Sequence, residues 1–200
     1  MHSYSTNSPD RQFIPFVLAA FAIAGGYLIS VAFDHFQVIV PWWAPPADTM
    51  TLYGLVYWLF DQYVWRSSLL RILGIVRIPD LNGKWSGRVR PTETEGVSLG
   101  LTIDTEIRVT ISQSWQNISI RGETDRSHFH STAACVRTED SGLLEYQYVS
   151  DPFASAPATM ETHRGTVSYG LSEDSKALKG EYYSGRGRQN IGMIDLRRVP

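Results

Sequence analysis

The sequence has a single cysteine, Cys135, in 200 residues, so it lacks the thiol pair of an intrachain disulfide and the thiolate set of a zinc cage. A lone cysteine is typical of a domain kept in a reducing compartment. Basic residues are also few, with 18 Lys and Arg against 20 Asp and Glu. Because long nucleic acids are bound by clustered Lys and Arg, the composition argues against a nucleic-acid polymer as partner and leaves room for a small anionic ligand.

Catalytic motifs are missing as well. The sequence contains no Gly-x-Ser-x-Gly, no Walker loop and no His-Glu-x-x-His. His128 and His130 share one face of a predicted strand, but Cys135 has the opposite parity and no third metal ligand lies at a useful spacing. The sequence therefore predicts no enzymatic activity, no metal and no other cofactor, although a hydrolase with a non-contiguous triad stays open.

Charge is absent from Phe13 to Phe33, a segment of 21 residues. As a helix this segment would be about 31 Å long, which matches one bilayer core. Its Ala and Gly residues between positions 19 and 26 form a small-residue face that favours packing on another helix. A second apolar segment begins near Met50. We predict a polar N-terminal tail at residues 1–12 and a two-transmembrane helical hairpin with a juxtamembrane helix at residues 13–78.

Arginine placement predicts the orientation of this hairpin. The loop from Asp34 to Thr49 has no Lys or Arg, whereas Arg66, Arg71 and Arg77 follow the second span. By the positive-inside rule the loop lies outside and both termini are cytoplasmic.

Asp61, Gln62 and Arg66 lie where the second span loses its apolar character. Asp61 has two interpretations. It is an interfacial residue close to Arg66, or it joins Gln62 in holding helices together within the membrane and in oligomers, or in lining a membrane defect.

Residues 79–200 have a different pattern. Between Val97 and Ile111 apolar and polar residues alternate, and shorter alternating segments separated by turn residues follow. About eight strands in roughly 120 residues predict a small closed antiparallel barrel of the lipocalin-like kind. Trp85 lies in the first strand, where an indole closes one end of such a barrel under a guanidinium of the last strand, Arg197 or its neighbour Arg198.

Candidate ligand-binding residues are those that suit phosphates, flat rings and base edges. Arg186 and Arg188 alternate with glycines and could clamp a phosphate, while Tyr183 or Tyr182 could stack on a base. A solvated hairpin tip explains the same four residues without a ligand. The other candidates offer a cation, a ring, a hydroxyl or an amide: His163, Arg164, Tyr146, Tyr148, Trp115, Thr124, Ser127 and Asn190.

Several sequence blocks together resemble a known family. They are Leu59-Phe60-Asp61-Gln62-Tyr63-Val64-Trp65, Asn82-Gly83-Lys84-Trp85-Ser86-Gly87, Ser112-Gln113-Ser114-Trp115, His163-Arg164-Gly165-Thr166 and Gly180 to Arg188. Their order and spacing, from about Phe13 to Val199, resemble the two-transmembrane, β-strand-rich effectors of bacterial CBASS antiphage systems. These are membrane effectors with a minimal β-barrel, associated with CD-NTases and with SMODS proteins.

The resemblance implies a function. In such effectors the barrel binds a cyclic dinucleotide made by a partner CD-NTase, homo-oligomers then form in the bacterial inner membrane, and disruption of the lipid bilayer kills the infected cell. The alternative from the residues alone is a membrane-tethered, lipocalin-like carrier of an apolar ligand.

Overall fold

The computed structural model describes residues 1–37, 44–92, 104–138, 143–156, 161–185 and 190–199. The chain divides into two compact units, a barrel unit of residues 1–7 and 78–200 and a helical unit of residues 8–77. The helices are α1 (Asp10–His35), α2 (Ala44–Gln62), a 3-10 turn (Val64–Arg66) and α3 (Ser68–Ile72). The strands are β1 (His2–Ser3), β2 (Ser5–Thr6), β3 (Gly83–Pro91), β4 (Thr105–Gln113), β5 (Asn117–Glu123), β6 (Ser127–Arg137), β7 (Leu143–Pro152), β8 (His163–Leu171), β9 (Ala177–Ser184) and β10 (Ile191–Arg198).

Helix α1 is the one helix in the described part of the chain that is long and apolar enough to cross a membrane. It packs against α2 through its small residues. A methyl group added at Gly25 would come within 2.7 Å of Leu52 Cδ2, and one at Gly26 within 2.7 Å of Thr49 Oγ1. The predicted small-residue face is therefore where α2 approaches α1.

Helix α2 begins at Ala44, earlier than the predicted start near Met50, and ends at Gln62. Its first turn includes two prolines, which fit there because the first helical amides have no intrahelical acceptor. Its 19 residues span about 28 Å. Asp61 thus lies in the last turn of α2. It is only 9% exposed, and its carboxylate accepts a hydrogen bond from Gln62 Nε2 at 2.6 Å.

The barrel unit is a closed, eight-stranded, antiparallel sheet. Strands β3 to β10 pair with their sequence neighbours, and β10 pairs back onto β3. Inward and outward residues alternate, as in β4, where Ile107, Val109 and Ile111 are buried while Glu106 and Arg108 are exposed. This architecture confirms the predicted barrel. Residues 97–103, placed in a strand by the alternation, lie outside the described residues.

One end of the barrel is plugged by Trp85, which is 1% exposed. Its indole donates a hydrogen bond to the Leu81 carbonyl oxygen at 3.0 Å. The guanidinium of Arg198 lies over the ring, 4.8 Å from its centroid, and donates to the Asp80 carbonyl oxygen at 2.6 Å. The choice of Arg197 for this role was wrong: Arg198 shares the inward parity of Leu196, whereas Arg197 is exposed on the outer wall. We call this the plugged end and the opposite one the open end.

Residues 1–7 are not the separate polar tail that the sequence suggested, because they belong to the barrel unit. Residues His2–Thr6, here called the N-terminal strap, lie between β5 and β6 near the plugged end. In the strap β1 pairs antiparallel with β5, and β2 pairs parallel with β6. Tyr4 is 4% exposed and donates a hydrogen bond to the Trp115 carbonyl oxygen at 3.1 Å.

Candidate ligand-binding cavity

A cavity of about 280 Å³ lies at the open end of the barrel. Inward-facing residues of the strand ends and the β5–β6 turn line it. Eight lining residues carry hydroxyls: Thr105, Thr124, Ser127, Tyr146, Tyr148, Ser150, Tyr182 and Ser184. Six are apolar: Val89, Pro91, Ile107, Phe129, Val167 and Ile194. The lining therefore combines hydrogen-bonding groups with flat apolar surface, as binding sites for small polar ligands do.

Aromatic rings run from the barrel core to the cavity. Tyr169 is fully buried, and its ring centroid lies 6.1 Å from that of Tyr146. Tyr146 lies 6.4 Å from Tyr148, and Tyr148 meets Phe129 edge-on at 5.8 Å. His163 meets Tyr148 edge-on at 6.2 Å. These rings hold one another in place, so the cavity presents rigid aromatic edges and faces.

Three lining rings each lie against a glycine of the neighbouring strand. Phe129 is paired with Gly122, Tyr148 with Gly165 and Tyr182 with Gly192. A methyl group at each of these glycines would collide with the ring of its partner. The glycines thus leave the volume that the rings occupy, which is a recurrent use of glycine beside aromatics in sheets.

Burial raises the pKa values of the two deepest phenols, Tyr146 and Tyr169. Burial raises the pKa of Tyr146 well above its ordinary value of 10.0, and the neighbouring Tyr169 raises it further. Burial also raises the pKa of Tyr169. Both phenols therefore stay protonated well above pH 10.0, and Tyr146 offers a ligand a hydroxyl group.

These raised pKa values predict alkaline destabilisation. Unfolded tyrosines lose their protons above pH 10.0, whereas Tyr146 and Tyr169 keep theirs in the folded barrel. The stabilisation is complete below that pH. Above it each phenol lowers the free energy of unfolding by about 1.4 kcal/mol per pH unit until its folded pKa is reached. Urea unfolding of the barrel at about pH 8 and about pH 11 measures the loss, and Tyr146→Phe should reduce it. If Tyr146→Phe lost as much free energy of unfolding between the two pH values as the unmodified protein, Tyr146 would not be a source of the alkaline destabilisation.

The β5–β6 turn forms one side of the opening. Thr124 Oγ1 accepts hydrogen bonds from the backbone amides of Arg126 and Ser127 at 3.3 and 3.2 Å, so this hydroxyl also shapes the turn. Asp125 and Arg126 line the cavity and form an ion pair with 3.4 Å between carboxylate oxygen and Nε. His163, at the start of β8, also lines the cavity, and its Nδ1 donates to the Glu161 carbonyl oxygen at 3.1 Å.

The structure brings seven of the predicted ligand residues to the cavity: Thr124, Ser127, Tyr146, Tyr148, His163, Tyr182 and Asn190. Three others lie elsewhere. Tyr183 and Arg164 are exposed on the outer wall, since each is one residue out of phase with an inward neighbour. Trp115 is 1% exposed and lies at the plugged end, so its placement in the ligand site was wrong. Arg186 and Arg188 lie outside the described residues and fall between β9 and β10 in the sequence.

Sequence reasoning missed several lining residues, although a signal for them exists. Ser150 follows Tyr146 and Tyr148 at a spacing of two, and Ser184 follows Tyr182 in the same way. Extending the inward parity of each tyrosine along its strand would have found both serines. Phe129 begins an alternating segment with Ser127 and could have been found by the same rule.

Comparison with known proteins places the cavity in a family. Residues 76–198 match the model described as Cap15, cyclic dinucleotide receptor domain, and residues 12–66 match the model described as Cap15, TM helices. The chain belongs to the Cap15 family. It is 29% identical over 151 residues to the CD-NTase-associated protein 15 of Yersinia aleksiciae, covering 73% of this chain and 66% of that protein. It is 23% identical to the protein of that name from Escherichia albertii, covering 75% of this chain and 78% of that one.

The family assignment confirms the resemblance seen in the sequence blocks. The receptor-domain match includes all eight barrel strands and thus the whole cavity lining. The match to the TM helices includes most of α1 and all of α2, so a membrane-associated segment precedes the Cap15 receptor domain.

Proposed function

We propose that this chain is a membrane-anchored receptor that binds a cyclic dinucleotide in the barrel cavity and then oligomerises and disrupts the bacterial inner membrane as a CBASS effector. The observation that carries the proposal is the cavity itself. It combines packed aromatic rings with eight hydroxyls, and it lies within the domain that matches a cyclic dinucleotide receptor. In this role the chain acts through binding and assembly and not through catalysis.

The cavity chemistry suits one half of such a ligand. Tyr148 and Tyr182 line the cavity and are the proposed stacking partners of a base, and base–aromatic stacking contributes about 1–3 kcal/mol per base. Ser127, Ser150 and Ser184 offer hydrogen bonds to base edges or ribose. The phosphates would lie beside Arg126 and near Ser184 and Asn190, the lining residues that flank Arg186 and Arg188 in the sequence.

An apolar ligand fits the lining less well. Tyr146 and Tyr148 contribute phenol groups to the lining. Ser150 and Ser184 contribute hydroxyls, and these two residues are 4% and 2% exposed. Ser184 Oγ donates to the Asn190 carbonyl oxygen at 3.1 Å and can still accept a hydrogen bond from a polar ligand, which a hydrocarbon cannot provide. The lining therefore favours a polar, ring-containing ligand over the apolar ligand of the carrier hypothesis.

The barrel also supports a two-pass membrane topology. The chain contributes residues 2–6 to the barrel before α1 and residues 83–198 after α2. Both ends of the helical unit must then lie on the same side of a membrane that α1 crosses. An even number of crossings is required, and α2, about 28 Å long, supplies the second. With the arginines after α2, this side is the cytoplasm.

Assembly requires that the ligand bind the oligomer more tightly than the monomer. A shift from 1:99 to 99:1 needs about 5.5 kcal/mol of preference. Ligand contacts at the rim of an open cavity can supply such a preference, because the rim is available to a neighbouring copy. Asp61 and Gln62, in the last turn of α2, are the proposed contacts between membrane segments in that assembly, with Arg66 close by in sequence.

The full chain in lipid nanodiscs provides the test. Thermal unfolding is followed with cyclic di-AMP, cyclic di-GMP and cyclic GMP–AMP, with the linear dinucleotides as controls. At 100 times the Kd a ligand stabilises the folded barrel by about 2.7 kcal/mol. Assembly is then measured by light scattering, and disruption by dye release from vesicles. No stabilisation with any cyclic nucleotide, or co-purification of a lipid in the cavity, would contradict the proposal.

Tyr182 and Tyr183 offer a matched pair of variants. Tyr182 lines the cavity, whereas its neighbour Tyr183 is 51% exposed on the outer wall. We expect Tyr182→Ala to weaken cyclic dinucleotide binding by about 1–3 kcal/mol, or 5- to 150-fold, through the lost stacking surface. Tyr183→Ala should leave the Kd unchanged. Calorimetry measures both, and equal effects of the two changes would exclude Tyr182 as the stacking residue.

A further inference from the structure

Strands β5 and β6 are joined directly over only part of their length. They pair over three residue pairs near the open end, Arg121 with His130, Gly122 with Phe129 and Glu123 with His128. Beyond that point they diverge, and the pairing of β6 with β7 shifts register between Ser131 and Ala133. We call the region where β5 and β6 diverge the seam. A seam left empty would expose two strand edges with unpaired backbone groups.

The N-terminal strap fills the seam through backbone pairing and side-chain hydrogen bonds. His2 and Ser3 pair with Ile118 and Asn117 of β5, and the next strap residues pair with β6. His2 Nε2 lies 2.8 Å from Ser131 Oγ, which accepts the Ile120 amide hydrogen at 3.0 Å where β5 and β6 separate. Backbone pairing supplemented by anchoring side chains is the chemistry of β-strand addition, in which a short segment binds a sheet edge.

We propose that the strap is an exchangeable strand, and that in the assembled state the strap of one copy occupies the seam of a neighbouring copy. The proposal rests on the oligomerisation proposed above. The side-chain contacts of the strap make the seam specific for this segment. Tyr4 donates a hydrogen bond to the Trp115 carbonyl oxygen, and Asn7 Oδ1 accepts the Thr138 amide hydrogen at 3.0 Å. Backbone pairing alone would accept many peptides, but these side-chain contacts fit this chain's own N-terminus.

Exchange replaces each contact with the same contact made in trans. The balance between the two states is then set by the connection and by the local concentration of neighbours, as in other domain swaps. Only Ser8 and Pro9 separate the strap and Asn7 from α1, which begins at Asp10. A connection this short reaches only an immediate neighbour, so exchange links adjacent membrane helices.

The seam is also placed to respond to the cavity. The turn from Thr124 to Ser127 lines the cavity, and the strands that leave this turn are β5 and β6. From Thr124 to Ile118 the distance along β5 is about 20 Å. Ligand contacts that shift this hairpin therefore act on the two strands that hold the strap.

A cysteine pair tests the exchange directly. Ser5 is the register partner of Cys135, the chain's only cysteine, so Ser5→Cys places two thiols opposite each other across the strap and β6. The strap thiol alone is provided by Ser5→Cys with Cys135→Ser, and the seam thiol alone by the unmodified chain. These two full-length proteins, with tags of different size, are mixed in vesicles with and without cyclic di-AMP, cyclic di-GMP or cyclic GMP–AMP. Diamide then oxidises facing thiol pairs.

We expect a heterodimer disulfide whose yield rises at least about fivefold when a cyclic dinucleotide causes assembly. Thr6→Cys with Cys135→Ser is the matched control, because residue 6 faces Val136 and should not crosslink. Ser5→Cys oxidised before assembly should bind ligand normally yet fail to assemble until a reductant is added.

Two results would overturn the exchange. One is that only intramolecular Ser5→Cys disulfides form, with no heterodimer in assembled samples. The other is that the pre-oxidised protein assembles as fast as the reduced one. Absence of assembly of the unmodified chain with every nucleotide would instead refute the proposed function. In that case the nucleotide-free mixture at high density in vesicles still decides whether straps exchange.

Discussion

Replacing Arg186 and Arg188 together by alanine should weaken cyclic dinucleotide binding by about 3–6 kcal/mol, or at least 100-fold, if each forms a charge-assisted bond worth about 1.5–3 kcal/mol to a phosphate. In the sequence the two arginines fall between Ser184 and Asn190, and both of these described residues line the cavity. Among the described lining residues the one guanidinium is that of Arg126, and Asp125 pairs with it. A dianionic ligand therefore needs further cations at the opening.

Two exposed arginines provide the control for this experiment. Arg164 and Arg197 lie on the outer wall, so Arg164→Ala with Arg197→Ala removes the same total charge without touching the cavity. Calorimetry at two salt concentrations separates a direct phosphate contact from a general effect of charge. A general electrostatic effect would lower the affinity equally in both double variants. Equal losses, or no loss in Arg186→Ala with Arg188→Ala, would place the phosphate site elsewhere.

The fold was predictable where burial imposes a period. Alternation of buried residues, as at Ile107, Val109 and Ile111, indicates which face of a strand points into the barrel. Eight such strands avoid exposed edges when the sheet closes on itself. The strap was not predictable, because two-residue strands held by backbone pairing leave no pattern in side-chain type. The start of α2 was missed for another reason: two prolines read as a loop also fit the first turn of a helix.

The site was predictable by residue type but only partly by position. Tyrosines and serines suggested a polar ligand, and parity could have separated Tyr182 from Tyr183 and Arg198 from Arg197. The prediction for Trp115 was wrong because a residue in a turn has no strand alternation that would indicate which way its side chain points. Its indole is buried at the plugged end, where Tyr4, 111 residues away in sequence, donates to its carbonyl oxygen. Such a long-range contact is set by packing and not by local sequence.

Trp85→Ala should lower the free energy of unfolding of the barrel by about 3–5 kcal/mol, the range for removal of a buried tryptophan. The indole is 1% exposed, donates to the Leu81 carbonyl oxygen and supports the Arg198 guanidinium. Arg198→Ala should cost less, about 1–3 kcal/mol, because it removes one cation–π contact and one charged hydrogen bond but leaves the indole in place. Thermal and urea unfolding of the full chain in nanodiscs measure both changes.

Arg197→Ala is the matched control for the plug, because it removes the same side chain one residue earlier on the outer wall and should change stability by less than about 0.5 kcal/mol. If Arg197→Ala and Arg198→Ala destabilised the barrel equally, the closing role of Arg198 would be refuted. Variants of the plug should change the stability of the barrel without changing its affinity for a ligand. Trp85 lies at the opposite end from the cavity, so Trp85→Phe, which keeps a ring without the hydrogen bond, should lower stability while the Kd for a cyclic dinucleotide stays the same at temperatures where the barrel remains folded.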